Sequence, residues 1–152
     1  MGKIRVLRGH ATAFQYGGAV QLIQDDRRFN HGFKIRRFVV SYEFPADSGA
    51  SSRDLIAALA THEDAFQLQA GVQVGWDWSD RRQVAWASTN HVGDSIAEHS
   101  FELVDPTYIV VRDLWFACSA AVASGSNYFN YYVELEQVKL TDDEAVLAIV
   151  QE

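Results

Sequence analysis

Cysteine is almost absent from this sequence, since Cys118 is the only one in 152 residues. An intramolecular disulfide and a cysteine-based zinc site are therefore excluded. No apolar run approaches the ~20 residues that a membrane-spanning helix needs. There is also no N-terminal signal peptide and no Asn-x-Ser/Thr glycosylation site. These absences predict a soluble protein of the cytoplasm that is not secreted and does not meet a membrane.

The sequence also lacks the motifs that mark common catalytic and cofactor sites. It contains no Gly-x-Ser-x-Gly elbow, no phosphate-binding loop and no Gly-x-Gly-x-x-Gly fingerprint. The densest group of potential metal ligands is His91, Asp94, Glu98 and His99. Their spacing matches no helix-borne metal motif, and residues 90–97 have the composition of a solvated loop. We therefore predict a protein with no catalytic residues, no metal site and no cofactor, and not an enzyme.

Aromatic residues, in contrast, are abundant. Nine Phe, six Tyr and four Trp make up 12% of the chain, and apolar residues together make up 48%. A chain of this length and composition can bury a core without disulfides or metal ions. Cys118 lies in the apolar run 114–122, so we expect it to fill space in that core. We predict one folded domain that spans residues 1–152.

Alternation of apolar and polar residues dominates the chain and predicts strands, because successive side chains of a strand point to opposite faces. The clearest example is the shared face of Phe38, Val40, Tyr42 and Phe44. Similar patterns predict about eight strands, at 3–8, 13–24, 38–44, 72–78, 84–86, 99–104, 108–117 and 128–138.

Two parts of this pattern carry further expectations. Strands 72–78 and 84–86 are predicted to form a hairpin through the turn residues between them. Strand 108–117 is apolar on both faces except at Arg112 and Asp113, which predicts a central position in a sheet. Charges buried there must be paired or lie at an interface. We expect one of the two to face a neighbouring subunit, with an internal salt bridge as the alternative for Arg112.

Helix signals are few. Residues 51–59 begin with polar residues suited to a helix start and are predicted to be helical, with a strand over 55–61 as the alternative. Thr141 and Glu144 have the spacing of a capping box, and acids in the first turn suit the positive end of the helix dipole. A helix from about residue 142 to the C-terminus is predicted, with one side formed by Val146, Leu147 and Val150.

Together these patterns define a fold class. Many strands of similar length, separated by turns and not by long helices, argue against a parallel α/β fold. They predict an all-β protein: an antiparallel β-sandwich of about eight strands, of jelly-roll type, with a short C-terminal helix.

Positive charge is concentrated near the N-terminus. Eight of the thirteen Lys and Arg residues precede residue 38, where only Asp25 and Asp26 oppose them, although the whole chain has a net charge of −7. Such a division favours contact with a polyanion or with the acidic flank of a neighbouring copy. A solvated strand edge is the alternative, and we expect contact with nucleic acid to be weak. The residues concerned are Lys3, Arg5, Arg8, Arg27, Arg28, Lys34, Arg36 and Arg37.

Two segments carry a resemblance to a known family. Residues 101–115 (FELVDPTYIVVRDLW) and 127–136 (NYFNYYVELE) resemble the paired long strands late in single jelly-roll coat proteins of small non-tailed viruses. The resemblance implies a jelly roll that assembles into a shell and is located in the virion. Many such proteins carry a long basic N-terminal arm that neutralises the genome, whereas this chain has only Lys3, Arg5 and Arg8. The resemblance therefore implies shell formation without strong genome binding.

We accordingly expect a non-enzymatic structural protein that self-assembles as a homo-oligomer or shell, as a viral capsid or capsid-associated subunit. The expected subunit interface consists of Trp78, Arg112, Trp115, Tyr128, Tyr131 and Tyr132. The alternative is a β-sandwich binding module that recognises carbohydrate or peptide through the aromatic rings of Trp76, Trp78 and Trp86. For these three rings a place in the core is the simpler expectation.

Overall fold

The fold consists of antiparallel sheets with one short helix at the C-terminal end. The computed structural model describes residues 2–12, 19–24, 30–42, 53–69, 73–91, 98–122 and 128–151. Within these ranges the strands are β1 (Ile4–Thr12), β2 (Val20–Ile23), β3 (His31–Tyr42), β4 (Arg53–Ala60), β5 (Gln67–Gln69), β6 (Gln73–Gly75), β7 (Gln83–His91), β8 (Glu98–Val104), β9 (Leu114–Val122) and β10 (Tyr128–Lys139). A 3₁₀ turn covers Glu63–Ala65, and the helix α1 covers Asp142–Gln151.

Eight of these strands form two sheets. One sheet has the order β1-β10-β3 and the other β2-β9-β4-β7-β8, while β5 and β6 form a separate short pair. The pairing is nested along the chain: β1 pairs with β10, β2 with β9, β4 with β7 and β5 with β6. Glu102 of β8 accepts a hydrogen bond from the backbone N–H of Phe38 in β3, at 2.9 Å, and so links the two sheets. Four pairs of strands are therefore nested one inside another along the chain, and β8 pairs with β7.

The main core lies between the two sheets. Residues of one pleat direction on β3 and β10 face those on β4, β7 and β9, as two-residue alternation requires. The largest fully buried side chains are Phe38, Phe116, Phe129, Leu55, Leu59, Leu114 and Leu135, with Cys118 among them. The all-β sandwich, the shared face of Phe38, Val40 and Tyr42, and the burial of Cys118 are confirmed.

A second apolar layer covers the outer face of the five-stranded sheet. Ala58, Ala60 and Ala117 present small side chains there, so large rings can approach the backbone closely. The indoles of Trp86 and Trp76 pack over them. This arrangement places part of the tryptophan set on the outside of the sandwich and not in its main core.

The helix α1 begins and ends as its sequence predicts. The Thr141 hydroxyl accepts a hydrogen bond from the backbone N–H of Glu144 at 3.3 Å and donates one to its carboxylate at 3.1 Å. Ala145 and Ala148 pack against Leu140 and Val111. The opposite, larger apolar side of the helix faces solvent. No helix among the described residues has both the length and the apolar character that a bilayer crossing requires.

The helix predicted over 51–59 is wrong, and the strand left as the alternative is found. Strand β4 pairs on one side with β7 and on the other with β9, so its backbone groups are bonded along both edges. Leu55, Ala57 and Leu59 point into the main core with a period of two. Pairing with partners far away in sequence has outweighed the local helix propensity of the alanine-rich segment.

The predicted hairpin between 72–78 and 84–86 is also wrong. Strand β6 ends at Gly75 and pairs with β5, whereas β7 pairs with β4 and β8. The indole N–H of Trp76 donates to the carbonyl of Ala57 at 3.1 Å, so this residue packs across the sheet and does not extend the strand. Residues 76–82 form a loop that contains turns.

The strand predicted at 108–117 starts later than expected. Strand β9 begins at Leu114, and the preceding residues contact β3 through two hydrogen bonds of 2.8 Å between the backbones of Phe33 and Val110. Arg112 is exposed, and half-buried Asp113 accepts a hydrogen bond from Gln21 at 3.0 Å. The premise that both charges interrupt a buried strand is therefore wrong.

The remaining strand predictions hold with shifted ends. The predicted strands at 3–8, 99–104 and 128–138 correspond to β1, β8 and β10, and the one at 38–44 to β3, which starts seven residues earlier at His31. Of the segment 13–24, β2 covers Val20–Ile23, and residues 13–18 lie outside the described residues.

Candidate functional site

The loop between β6 and β7 is held in place by one buried amide. The side chain of Gln83 is 2% exposed, and its oxygen accepts hydrogen bonds from the indole N–H of Trp86 at 2.8 Å and the backbone N–H of Asp77 at 3.0 Å. Its NH₂ group donates to the carbonyl of Ala65 at 2.9 Å. Because all three bonds reach different segments, Gln83 fixes the loop relative to the sheet.

An ion pair stabilises the same loop from the outside. The guanidinium of Arg82 donates to both carboxylate oxygens of Asp80, at 3.0 and 2.8 Å. These hydrogen bonds lower the pKa of Asp80, against a smaller opposing effect of burial. The backbone carbonyl of Asp80 also accepts from the N–H of Gln83 at 3.1 Å. The loop is therefore bonded through its backbone and through its side chains.

This ordered loop presents an indole to solvent. Trp78 is 63% exposed, and its ring stacks on Trp76 with centroids 6.5 Å apart and planes 21° apart. Its other neighbour is Trp86, whose ring meets it edge-on at 6.2 Å. Phe101 of β8 lies 5.4 Å from Trp76 and is also exposed. We refer to Trp76, Trp78 and Trp86 as the tryptophan platform.

Two depressions flank the tryptophan platform. The first, of about 250 Å³, is lined by Trp78 and Trp86 together with the polar side chains of Asp80, Arg81, Asp105 and Thr107. The second, of about 360 Å³, lies on the other side, between Trp76 and Phe101, with Ser88, Asn90 and Ser100 in its lining. The three indole rings of the platform therefore lie between two depressions that are partly polar.

A third depression, of about 480 Å³, lies on the outer face of the three-stranded sheet. Arg8 and His10 of β1, Val39 of β3, and Asn130 and Tyr132 of β10 contribute to its lining. The predicted interface residue Tyr132 is half-buried here, and its hydroxyl lies 3.4 Å from a carboxylate oxygen of Glu134.

The five predicted interface residues whose side chains are described do not come together in the structure. Trp78 and Arg112 are exposed, but Trp115 packs with the outer aromatic layer and Tyr131 packs against the main core. Tyr132 lies on the opposite outer face, since it alternates with Tyr131 along β10. The side chain of Tyr128 lies outside the described set. Five of these six side chains thus occupy several separate surfaces.

The predicted basic residues divide into three groups. Arg36 forms an ion pair with Glu136, and the Nε of Arg37 lies 3.7 Å from the carboxylate of Glu102. Lys3, Arg5 and Arg8 are exposed on or beside edge strand β1, with the Arg5 guanidinium 6.0 Å from the ring centroid of Phe33. Lys34 is half-buried, and Arg27 and Arg28 fall outside the described residues.

Two exposed surfaces contain apolar side chains that were not assigned to an interface from the sequence. The first, the α1 stripe, consists of Val146, Leu147 and Val150, which are between 61% and 74% exposed. The second, the β1 edge, consists of exposed Ile4 and Val6 with the cations Lys3, Arg5 and Arg8. The spacing of the α1 stripe was readable in the sequence. Its exposure to solvent could not be predicted from the sequence, because it depends on which side of the helix packs against the sandwich.

Comparison of the chain with protein families, curated proteins and solved structures gives no match. Within the described ranges, no three His, Cys, Asp or Glu side chains come together as ligands for a metal ion. The group His91, Asp94, Glu98 and His99 lies among residues whose side chains are outside that description.

Proposed function

We propose that this chain is a self-assembling structural subunit built on a jelly-roll sandwich, of the kind that forms viral capsids. The nested strand pairs support the jelly-roll type, since rolling a long antiparallel hairpin across itself nests its strands in this way. Strand β8 departs from that pattern, because it pairs with β7 in the five-stranded sheet and not with β3. Jelly rolls also occur in lectins and cupins, so the fold by itself does not select the function. The choice between these functions must therefore be based on the exposed surfaces.

The single observation that carries the proposal is the exposure of the α1 stripe. Val146, Leu147 and Val150 are neighbours on the helix surface and form one continuous apolar strip in solvent. Full burial of one Val or Leu side chain contributes about 1.5–3 kcal/mol. Covering this strip is therefore favourable, and the occupant we propose is the β1 edge of a second copy.

Charge complementarity supports that choice of occupant. Asp142, Asp143 and Glu144 are exposed at the start of α1, next to the stripe. Along the β1 edge, exposed Ile4 and Val6 share one face of the strand with Arg8, and the cations Lys3 and Arg5 lie on the other face. An acidic and apolar surface thus has a basic and apolar counterpart on the same chain, which favours attraction and a defined orientation between copies.

The position of β1 supports the same contact. Strand β1 ends the three-stranded sheet, and within the described residues only β10 pairs with it. A sheet edge of this kind is open to a further partner unless it is covered. A contact between two different surfaces of the same chain is heterologous, repeats from copy to copy, and closes into rings where the rotation allows.

Nucleic acid has a minor role in this proposal. Arg36 and Arg37 already lie against Glu136 and Glu102, and the chain as a whole carries −7. The cations of the β1 edge therefore serve the contact between subunits first. In such a shell the protein is part of a virion, and its contacts with the genome are weak and depend on salt.

A matched pair of substitutions tests the proposal. Leu147→Glu places a charge in the α1 stripe, whereas Leu103→Glu makes the same change at another exposed leucine, on β8. Size-exclusion chromatography with light scattering at physiological salt measures the mass of each species. We expect the wild-type protein and Leu103→Glu to form assemblies and Leu147→Glu to remain monomeric, because the new carboxylate cannot be buried against β1. Equal assembly of the two variants would contradict the proposed contact.

A further inference from the structure

The geometry points to a second function, at a surface separate from the α1 stripe and the β1 edge: the tryptophan platform is a binding site for a neutral carbohydrate. In this arrangement a sugar ring lies against the exposed face of Trp78, and its hydroxyl groups reach the polar side chains of the 250 Å³ depression beside it. The site does not depend on self-assembly, since neither the α1 stripe nor the β1 edge contributes to it.

Trp78 is exposed although hydrogen bonds hold its loop in place. Gln83 anchors the backbone at Asp77, and Arg82 holds Asp80 by two hydrogen bonds. Stacking on Trp76 fixes the plane of the Trp78 ring. A rigid aromatic face in water is preorganised, so a ligand that covers it loses little free energy to ordering. The C–H faces of sugar rings are apolar and match the electron-rich face of an indole.

The depression beside Trp78 is lined by polar side chains. Asp105 accepts hydrogen bonds from the N–H and the hydroxyl of Thr107, at 2.9 and 2.7 Å, and both go to its Oδ1 atom. The guanidinium of Arg81 is exposed at the rim. Donors and acceptors therefore lie within one small volume beside the indole, which is what a ligand with many hydroxyl groups requires.

The charges around the depression favour an uncharged ligand. Asp80 and Asp105 are the anions of the hollow, Arg81 is its cation, and Arg82 already neutralises Asp80. The site therefore has no net charge, which favours a neutral ligand over phosphate or a carboxylated sugar. An extended peptide is less suited, because the loop backbone at Asp77, Asp80 and Gln83 already uses its hydrogen-bonding groups internally.

Titration with defined oligosaccharides tests the site. The probes are cellotetraose, xylotetraose, N-acetylchitotetraose and lactose, and binding is followed by calorimetry and by tryptophan fluorescence. We expect at least one probe to bind saturably and to shift the emission as Trp78 becomes covered. Trp78→Ala should weaken that binding at least about tenfold, and Trp78→Phe should weaken it less, because a smaller ring is kept.

Leu103→Ala is the matched control, since it removes an exposed apolar side chain on the same sheet face outside both depressions. It should bind the sugar as the wild-type protein does, and circular dichroism should give the same spectrum for all variants. Absence of binding by all four probes at millimolar concentration would overturn the inference. Binding that survives Trp78→Ala would do so too, as would a loss of assembly in that variant, because Trp78 would then serve a contact between copies.

Discussion

Gln83 illustrates how a single polar side chain organises the surface that carries the tryptophan platform. Glutamine is usually exposed, yet this residue is buried and bonded to Trp86, Asp77 and Ala65. The sequence places Gln83 at the start of an apolar strand and gives no sign of its role. Its burial results from the loop folding back over the sheet, a long-range event that local patterns do not encode.

Replacing this amide should be costly. We expect Gln83→Ala to lower the free energy of unfolding by about 2–4 kcal/mol, because the Trp86 indole N–H and the Ala65 carbonyl lose their bonds in a buried place. Gln21→Ala is the control, since Gln21 is exposed and donates one hydrogen bond to Asp113. That change should stay within about 0.5 kcal/mol. Urea denaturation of the two variants measures both effects, and equal losses would refute the role of Gln83.

The ion pair of Asp80 and Arg82 should make the stability of the protein depend on pH. The pKa of Asp80 is lowered in the folded protein, so the ion pair contributes stability above the ordinary aspartate pKa of about 3.9 and loses it as the pH falls through the lowered value. Asp80→Asn should therefore be less stable than the wild-type protein at neutral pH and approach it in acid. Denaturation at neutral pH and near pH 3 compares them. A stability difference that is the same at both pH values would contradict this account.

Cys118 and Trp78 show which residue roles the sequence could reveal. Burial of Cys118 follows from the apolar run around it, and desolvation raises the pKa of its thiol well above the ordinary range. Trp78 was recognised as a surface candidate, but its alternation with Trp76 predicted a strand where the chain forms a loop. Composition indicates that a ring is present, whereas its exposure depends on the path of the backbone.

Strand β4 and helix α1 show which secondary-structure elements local sequence patterns can predict and which they cannot. Both segments are rich in alanine and leucine or valine, and both follow polar residues suited to a helix start. Only α1 has the capping contacts of Thr141 and Glu144, and only β4 finds a partner strand on each side. The capping box is a local signal, so helix α1 was predicted correctly. Strand pairing is not local, so the strand at β4 was given only as the alternative to a helix.

The cap gives a prediction for α1. Thr141→Ala removes the acceptor for the Glu144 N–H, and we expect it to lower the free energy of unfolding by about 1 kcal/mol. Thr141→Ser keeps the hydroxyl and should be nearly neutral. Circular dichroism during thermal unfolding measures both variants. If serine and alanine destabilise the protein equally, the hydroxyl does not cap the helix.

At the scale of the whole molecule, the sequence predicted a sandwich but not the pairing of its strands. Ile4 lies opposite Glu136, and Val20 lies opposite Phe116, so the pairing joins the two ends of the chain. Alternation identifies strands and the faces they bury, but carries no information on which strand is the neighbour. Nested pairing is a property of the complete chain, and it is the feature that supports the jelly-roll proposal.

The division of charge was readable from the sequence, and the structure adds where that charge lies. Cations remain exposed along the β1 edge, and acids are exposed at the start of α1 next to the apolar stripe. The four described rings of the predicted interface, Trp78, Trp115, Tyr131 and Tyr132, in contrast, do not share one face of the sandwich. We therefore expect copies to associate through β1 and α1, and this association should depend on both protein concentration and salt.

Self-association can be measured by sedimentation velocity of the purified wild-type protein, over a wide range of protein concentrations at low and at high salt. We expect species that grow with protein concentration and that become smaller as salt screens the cations of β1 from the acids of α1. A single sharp monomer at every concentration and every salt would contradict it.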